Sequence, residues 1–446
     1  MTITIASLSP ALLRGVTSDV AAANAARLGT TLDSLRETQP DLAIALLPFG
    51  CLSGGAGLGI GWPATVAMAP LQRVASESGL WIAGADRFDG MAHGFLLAPD
   101  GTLCLTQPSI TEGSGPAAVA VHDTPCGRLA VLVDDDLLHP EYARLALFAG
   151  AEILLNPCRE TLDERSTARQ LSRGARAWEN HAVVAVASQA AAIDAHGAPD
   201  PAFVGRGGVG LWSHTGQPLA EGEASVATAT LDLQALRERR LEPWVNFPAQ
   251  LRTGLYAGFY AAAARDEVTA DAPAPYDVLM MQTHEAFIGS PEDRDATIAD
   301  NLARAFALAR PFSMRPTTRL VVLPEFALQG SDGSHDHAYW ERVGIRIPGP
   351  ETTQLAAFAR QCDVYVCAMV FEYDPEWPLR YFNTAVIISP QGEIVLRYRK
   401  LQCADLNGLL NVTTPGNIYT RYVERYGHEA LVPVVDTPIG RLGTLI

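Results

Sequence analysis

Glu325 and Lys400 are two residues whose types and strand-end settings would suit bond-breaking chemistry. Glu325 ends the apolar run 318–323 through Leu323-Pro324. A carboxylate aimed from a strand end can take up a proton and hand it back. Lys400 lies just past the short strand 394–398, and a fixed ammonium there can balance negative charge developing on an attacked group. Each also has a plainer reading: Glu325 as a solvated strand-end carboxylate, and Lys400 as one of several exposed cations on a hairpin, since Arg397 and Arg399 precede it. Cys403 lies close to Lys400 and is read as structural. His284 follows the apolar run 278–282 with no second histidine or carboxylate at ligand spacing, so it too is read as structural.

Both residues belong to a segment that the chain carries twice. Residues 318–330, TRLVVLPEFALQG, match 42–54, LAIALLPFGCLSG, as an apolar run ending in Leu-Pro and a glycine loop. Residues 436–446, DTPIGRLGTLI, match 123–133, DTPCGRLAVLV, with Asp, Thr, Pro, Gly, Arg and both leucines identical. Repetition in the same order points to duplicated units. Between these anchors lie short strands at 385–389 and 394–398 around Pro390-Gln391-Gly392. Their counterparts are 95–98 and 103–105 around Pro99-Asp100-Gly101. In both turns proline presets φ and glycine tolerates its positive values. Ile298, Leu302, Ala305, Phe306 and Ala309 repeat at helical spacing, and a second helix carries Leu355 and Phe358 before a strand at 364–370. In the first copy Leu28, Leu32 and Leu35 precede the strand 43–47. Alternating helices and apolar strands predict an α/β fold.

The first copy continues with a strand at 131–133, a helix at 140–150, strands at 153–155 and 181–188, and a hairpin around Thr215-Gly216. The predicted organisation is a first domain over 1–240, a linker over 241–275 and a second domain over 276–446. In the first domain Phe49 stands where Glu325 stands, Ser109 where Lys400 stands, and Asp134 opens the run Asp134-Asp135-Asp136. That run is read as a hydrogen-bonded turn in preference to a cation site. Gly205-Arg206-Gly207-Gly208-Val209-Gly210 matches GxGxxG but precedes a strand instead of joining a strand to a helix, so no dinucleotide site is expected.

Three ordered runs of the second copy resemble the nitrilase superfamily of carbon–nitrogen hydrolases. LPEFALQG (323–330) is similar to its glutamate motif, RYRKLQ (397–402) to its lysine motif, and DTPIGRLGTLI (436–446) to the segment leading into its catalytic cysteine. The resemblance covers 276–446, and more weakly 1–240. It implies tandem four-layer αββα sandwich domains, the second copy incomplete, and hydrolysis of a non-peptide carbon–nitrogen bond through an enzyme-bound thioester. Glu325 would be the base and Lys400 the oxyanion partner. It further implies a cysteine directly after Ile446 and a continuation on the order of a hundred residues, so the chain as given holds no nucleophile in either copy. A second family glutamate has no match: Asp405, Asn407 and Asn411 occupy its stretch, and Glu424 is the remaining substitute. The rival reading is a non-catalytic binding or scaffold protein. No cofactor or metal is implied. The expected partners are a small-molecule amide or nitrile and, within the chain, the other copy, with room for further homo-oligomerisation. The first copy would then be a packing partner that has lost its catalytic residues.

Composition narrows the field. With 446 residues, 48% hydrophobic and 18% charged, the chain has ample core material. A net charge of −16 without a run of Lys or Arg argues against nucleic acid. No apolar stretch reaches the roughly 18 residues of a bilayer span, and the first residues lack a basic secretory signature. Seven scattered cysteines fit neither a zinc site nor a disulfide framework. A cytoplasmic location is the expectation.

Overall fold

Leu42–Phe49 (β3) shows why the sheets form. Every residue of this strand except Ala43 is buried, as expected of a parallel strand covered on both faces. In this computed structural model β3 sits inside a six-stranded sheet of order β14-β1-β3-β4-β5-β6. Its other members are β1 (Thr2–Leu8), β4 (Trp81–Phe88), β5 (Met91–Leu97), β6 (Leu103–Pro108) and β14 (Val226–Asp232). A second six-stranded sheet has the order β13-β12-β10-β9-β8-β7. It comprises β7 (Val121–Thr124), β8 (Gly127–Val131), β9 (Ile153–Cys158), β10 (Val183–Ser188), β12 (Gly208–Trp212) and β13 (Pro218–Gly222). The described residues are 2–56, 64–113, 118–160, 166–201, 203, 207–222, 225–242, 245–249, 251, 253–254, 256–258, 273–330, 335–402 and 412–446.

Ile5, Ile44, Leu46 and Ala83 of the first sheet bury against Leu129, Val131, Leu155 and Ala185 of the second. Helices α1 (Ser18–Thr38) and α2 (Ala64–Ser78) cover the outer face of the first sheet through Leu28, Leu32 and Leu71. Helices α3 (Pro140–Phe148) and α4 (Ser166–Asn180) cover the second through Ala143, Ala146 and Ala177. The result is an αββα sandwich, joined by the paired short strands β2 (Ala11–Leu13) and β11 (Ala191–Ile193) and by helix α5 (Leu233–Leu241). The chain divides into two compact units, Met1–Thr253 and Gly254–Ile446. Packing of the first continues past residue 240, where Val245 and Phe247 bury with Leu147.

The second unit holds one five-stranded sheet of order β15-β16-β17-β18-β19. Its strands are β15 (Asp277–Met280), β16 (Thr318–Val322), β17 (Tyr365–Glu372), β18 (Phe382–Ile388) and β19 (Ile394–Arg399). Successive side chains of a strand face opposite ways. Val366, Ala368 and Val370 therefore meet α6 (Arg294–Ser313) and α8 (Pro350–Cys362), while Tyr365 and Cys367 join the opposite cluster. That opposite side packs on Tyr422 of α9 (Tyr419–Tyr426), Leu431 and Ile439. A short helix, α7 (His337–Val343), starts at Asp336, which caps it by accepting from Tyr339 N at 2.9 Å. The hairpin β20 (Val434–Thr437) and β21 (Gly440–Gly443) repeats β7 and β8.

The repeat is visible in the registers. Ile44 pairs with Trp81 as Leu320 pairs with Tyr365. Thr124 Oγ1 donates to Gly127 O at 2.6 Å, as Thr437 Oγ1 does to Gly440 O at 2.6 Å. Arg128–Asp123 and Arg441–Asp436 close the two hairpins with ion pairs of 2.6 Å each. Strand β18 begins three residues earlier than the 385 expected from apolarity. The added residues include the buried polar Asn383 and Thr384, and Thr384 Oγ1 is satisfied by Glu372 at 2.6 Å. No helix among the described residues is long and apolar enough to cross a membrane.

Candidate active site

The loop that carries Glu325 is held by its backbone. Leu323 N still donates to Cys367 O at 2.9 Å, but Pro324 has no N–H and ends the ladder. Behind the turn, Asn301 of α6 is buried and donates to Leu328 O and Ala286 O, both at 2.9 Å, while its Oδ1 accepts from Ala286 N at 2.8 Å. Gln329 does the same on the other side. Its Nε2 donates to Val343 O and Phe371 O at 3.1 Å, and its Oε1 accepts from Phe371 N at 2.7 Å. Two buried amides thus pin the turn that presents Glu325.

Lys400 is aimed by its neighbour. Arg399 is buried and donates to Glu372 Oε1 and Oε2 at 2.7 and 3.0 Å and to Asp374 at 2.5 Å, with its guanidinium 4.0 Å from the Phe382 ring. Arg397 also pairs with Glu372. Arg399 is therefore not an exposed hairpin cation, as a run of basic residues suggested; a buried acidic pair takes it inward. Adjacent strand residues point oppositely, so Lys400 turns to the other side. There its Nζ reaches Glu325 Oε1 at 2.9 Å. The same oxygen accepts from Asn383 Nδ2 at 2.7 Å. Residues far apart in sequence, from a loop and two adjoining strands, thus form one hydrogen-bonded cluster.

The other sequence candidates lie elsewhere. Glu424 is exposed on α9 and has no hydrogen bond or ion pair with Glu325 or Lys400 among the described residues. Cys403, Asp405, Asn407 and Asn411 lie outside the described residues, as do Gly205 and Arg206 of the glycine-rich run. His284 is exposed. Among the described residues no group of three His, Cys, Asp or Glu could hold a metal ion. Asn383 is the participant that sequence reasoning missed.

The profile of the family described as carbon–nitrogen hydrolase matches residues 68–241 and 282–446, well over half the chain. The chain belongs to the carbon–nitrogen hydrolase family. A formamidase of Bacillus thuringiensis (strain Al Hakam) is 39% identical over 88 residues, 19% of this chain and 25% of that protein. The same figures hold for a formamidase of Bacillus anthracis. The chain thus spans about a quarter of the length of the curated relatives it matches. Among solved structures, a carbon–nitrogen hydrolase from Helicobacter pylori G27 is 16% identical, covering 59% of this chain and 99% of that one with a TM-score of 0.48. Saccharomyces cerevisiae Nit3 is 18% identical, covering 56% and 96% with a TM-score of 0.46.

The first carbon–nitrogen hydrolase repeat fills the corresponding place differently. Ser109 N donates to Ala92 O at 2.8 Å, as Lys400 N donates to Asn383 O at 2.8 Å. The register therefore sets Ser109 against Lys400 and Ala92 against Asn383. Phe49 is buried, with the Arg159 guanidinium 4.6 Å from its ring centre. Arg159 in turn holds Asp134 through its backbone N at 2.9 Å, Nε at 2.8 Å and Nη2 at 2.5 Å. Asp136 is fully buried and accepts from Ser109 Oγ, Ile110 N and Thr111 N at 2.9–3.2 Å. The acidic run is a hydrogen-bonded turn, and a phenylalanine under an ion pair stands where the second repeat presents its carboxylate.

Proposed function

We propose that the second unit supplies the base and the oxyanion partner of an enzyme that hydrolyses a non-peptide carbon–nitrogen bond, an amide in the first instance. The observation that carries this reading is the contact of Lys400 Nζ with Glu325 Oε1 at 2.9 Å, beside the ends of the sheet strands. The formamidase matches favour an amide over a nitrile. The nucleophile of the reading is the cysteine thiol that the family resemblance implies. Its S–H proton passes to Glu325, and the sulfur pair forms a bond to the carbonyl carbon. Lys400 balances the charge that moves onto the carbonyl oxygen. The C–N bond then breaks, and Glu325 returns the proton to the departing nitrogen. Water, activated by the same carboxylate, splits the thioester and restores the thiol. The first unit, with Phe49, Ser109 and Asp134, is a non-catalytic packing partner in this reading.

The test is simple-amide hydrolysis by the full-length protein. Glu325→Gln keeps the shape but cannot carry the proton, and turnover should fall by about two to four orders of magnitude. Lys400→Ala should cost about two to three orders. Both should melt close to the parent protein. Near-normal hydrolysis by either variant would overturn the assignment.

A further inference from the structure

We infer that Asn383 is a positioning residue for Glu325: its amide decides which carboxylate oxygen is tied to the sheet and which is left to move protons. This rests on the base role given to Glu325 above. Asn383 is 4% exposed on β18, and its Nδ2 lies 2.7 Å from Glu325 Oε1, the oxygen that also accepts from Lys400. Two N–H donors converge on one oxygen. Glu325 Oε2 has no hydrogen-bond partner among the described residues. A carboxylate anchored at one oxygen cannot swing freely, and the proton traffic falls to Oε2.

Two further observations separate this task from plain core packing. Asn383 Oδ1 is buried and unpartnered among the described residues. An unpaired buried oxygen works against stability, so a side chain chosen for packing alone would not be an amide. Within the chain, Asn301 of α6 is matched in the first unit by Asn24 of α1, which donates to Leu13 O and Leu52 O at 2.8 Å. That amide, whose work is structural, is kept in both units. Asn383 is not: Ala92 occupies its place in the unit where Phe49 and Ser109 replace the base and the cation. The amide disappears with the chemistry while the fold remains.

The test reads Glu325 directly, by following its side-chain carboxyl carbon through a pH titration in the ¹³C-labelled chain. Donated hydrogen bonds favour the charged form of a carboxylate. Asn383→Ala should move the Glu325 midpoint upward, and Asn383→Asp, which sets a like charge against it, should move it further in the same direction. Lys400 is the charged side chain bonded to Glu325 among the described residues, and Lys400→Ala serves as the positive control. In amide hydrolysis, Asn383→Ala should lower kcat about tenfold. KM should stay nearly constant, and the acid limb should shift by the same amount as the titration. An unmoved Glu325 midpoint in both folded variants would overturn the proposal, and so would unfolding of both, which would make Asn383 a core residue. The titration needs no substrate. A shifted midpoint with no hydrolysis by the parent would remove the proposed function and leave the positioning role standing.

Discussion

Asn24 and Asn301 do the same work in the two units, and Phe49 and Glu325 do not. Each asparagine sits buried in the first long helix of its unit, and its amide donates to the carbonyl of a residue in the loop after the Leu-Pro strand, Leu52 or Leu328. The DTP hairpins repeat down to the threonine hydroxyl and the Asp–Arg pair. Side chains at the strand ends diverge. One unit gathers Glu325, Lys400 and Asn383; the other packs Phe49 under Arg159 and buries Ser109 against Asp136. A second divergence lies beside the site. Glu372 and Arg399 form a buried ion pair where the registers place Phe88 and Pro108 in the first unit. The frame and the site therefore answer to separate sets of residues.

The corner held by Glu372 offers the largest test of that separation. Glu372→Ala leaves Arg399 and Arg397 short of their carboxylate and should destabilise the second unit by about 3 kcal/mol or more in chemical denaturation. Phe88→Ala at the matching place should cost the first unit a similar amount, about 3–5 kcal/mol, through a cavity. If Glu372→Ala were neutral, the ion pair would not be what holds the corner. Next in size are the two clamps. Asn24→Ala and Asn301→Ala each strand several buried backbone groups and should each cost about 2 kcal/mol. Only Asn301→Ala should also slow the proposed amide hydrolysis, because Leu328 belongs to the Glu325 turn. Equal activity losses from both would erase the distinction between the units. The smallest effects are expected at the hairpins. Asp123→Asn and Asp436→Asn break exposed ion pairs and should leave the melting temperature unchanged within error.

Glu325 and Lys400 could be singled out because each follows a short strand inside a recognisable motif, and the structure brings the two side chains into contact. The duplication was legible because DTP-x-G-R-L is a rigid, side-chain-specific hairpin. Asn383 was not, since an asparagine before Thr384 reads as a strand flank and its partners lie far away in sequence. Arg399 looked like one more surface cation; only the fold brings Glu372 and Asp374 beneath it. The strands β1 and β14, which pair along their whole length in the first unit, also escaped the sequence reading. Their contact joins opposite ends of that unit, and no local pattern announces such a partner.

The amide of Asn301 touches Ala286 and Leu328 through their carbonyl oxygens, and that of Asn24 touches Leu13 and Leu52 the same way. Every amino acid offers that oxygen, so the lock is indifferent to which side chains the loop displays. A lineage carrying such a lock can exchange the residues at the loop's tip without loosening the loop itself. The side chains at that tip can thus change with no reshaping of the backbone, and others can be tried there on a frame already in place.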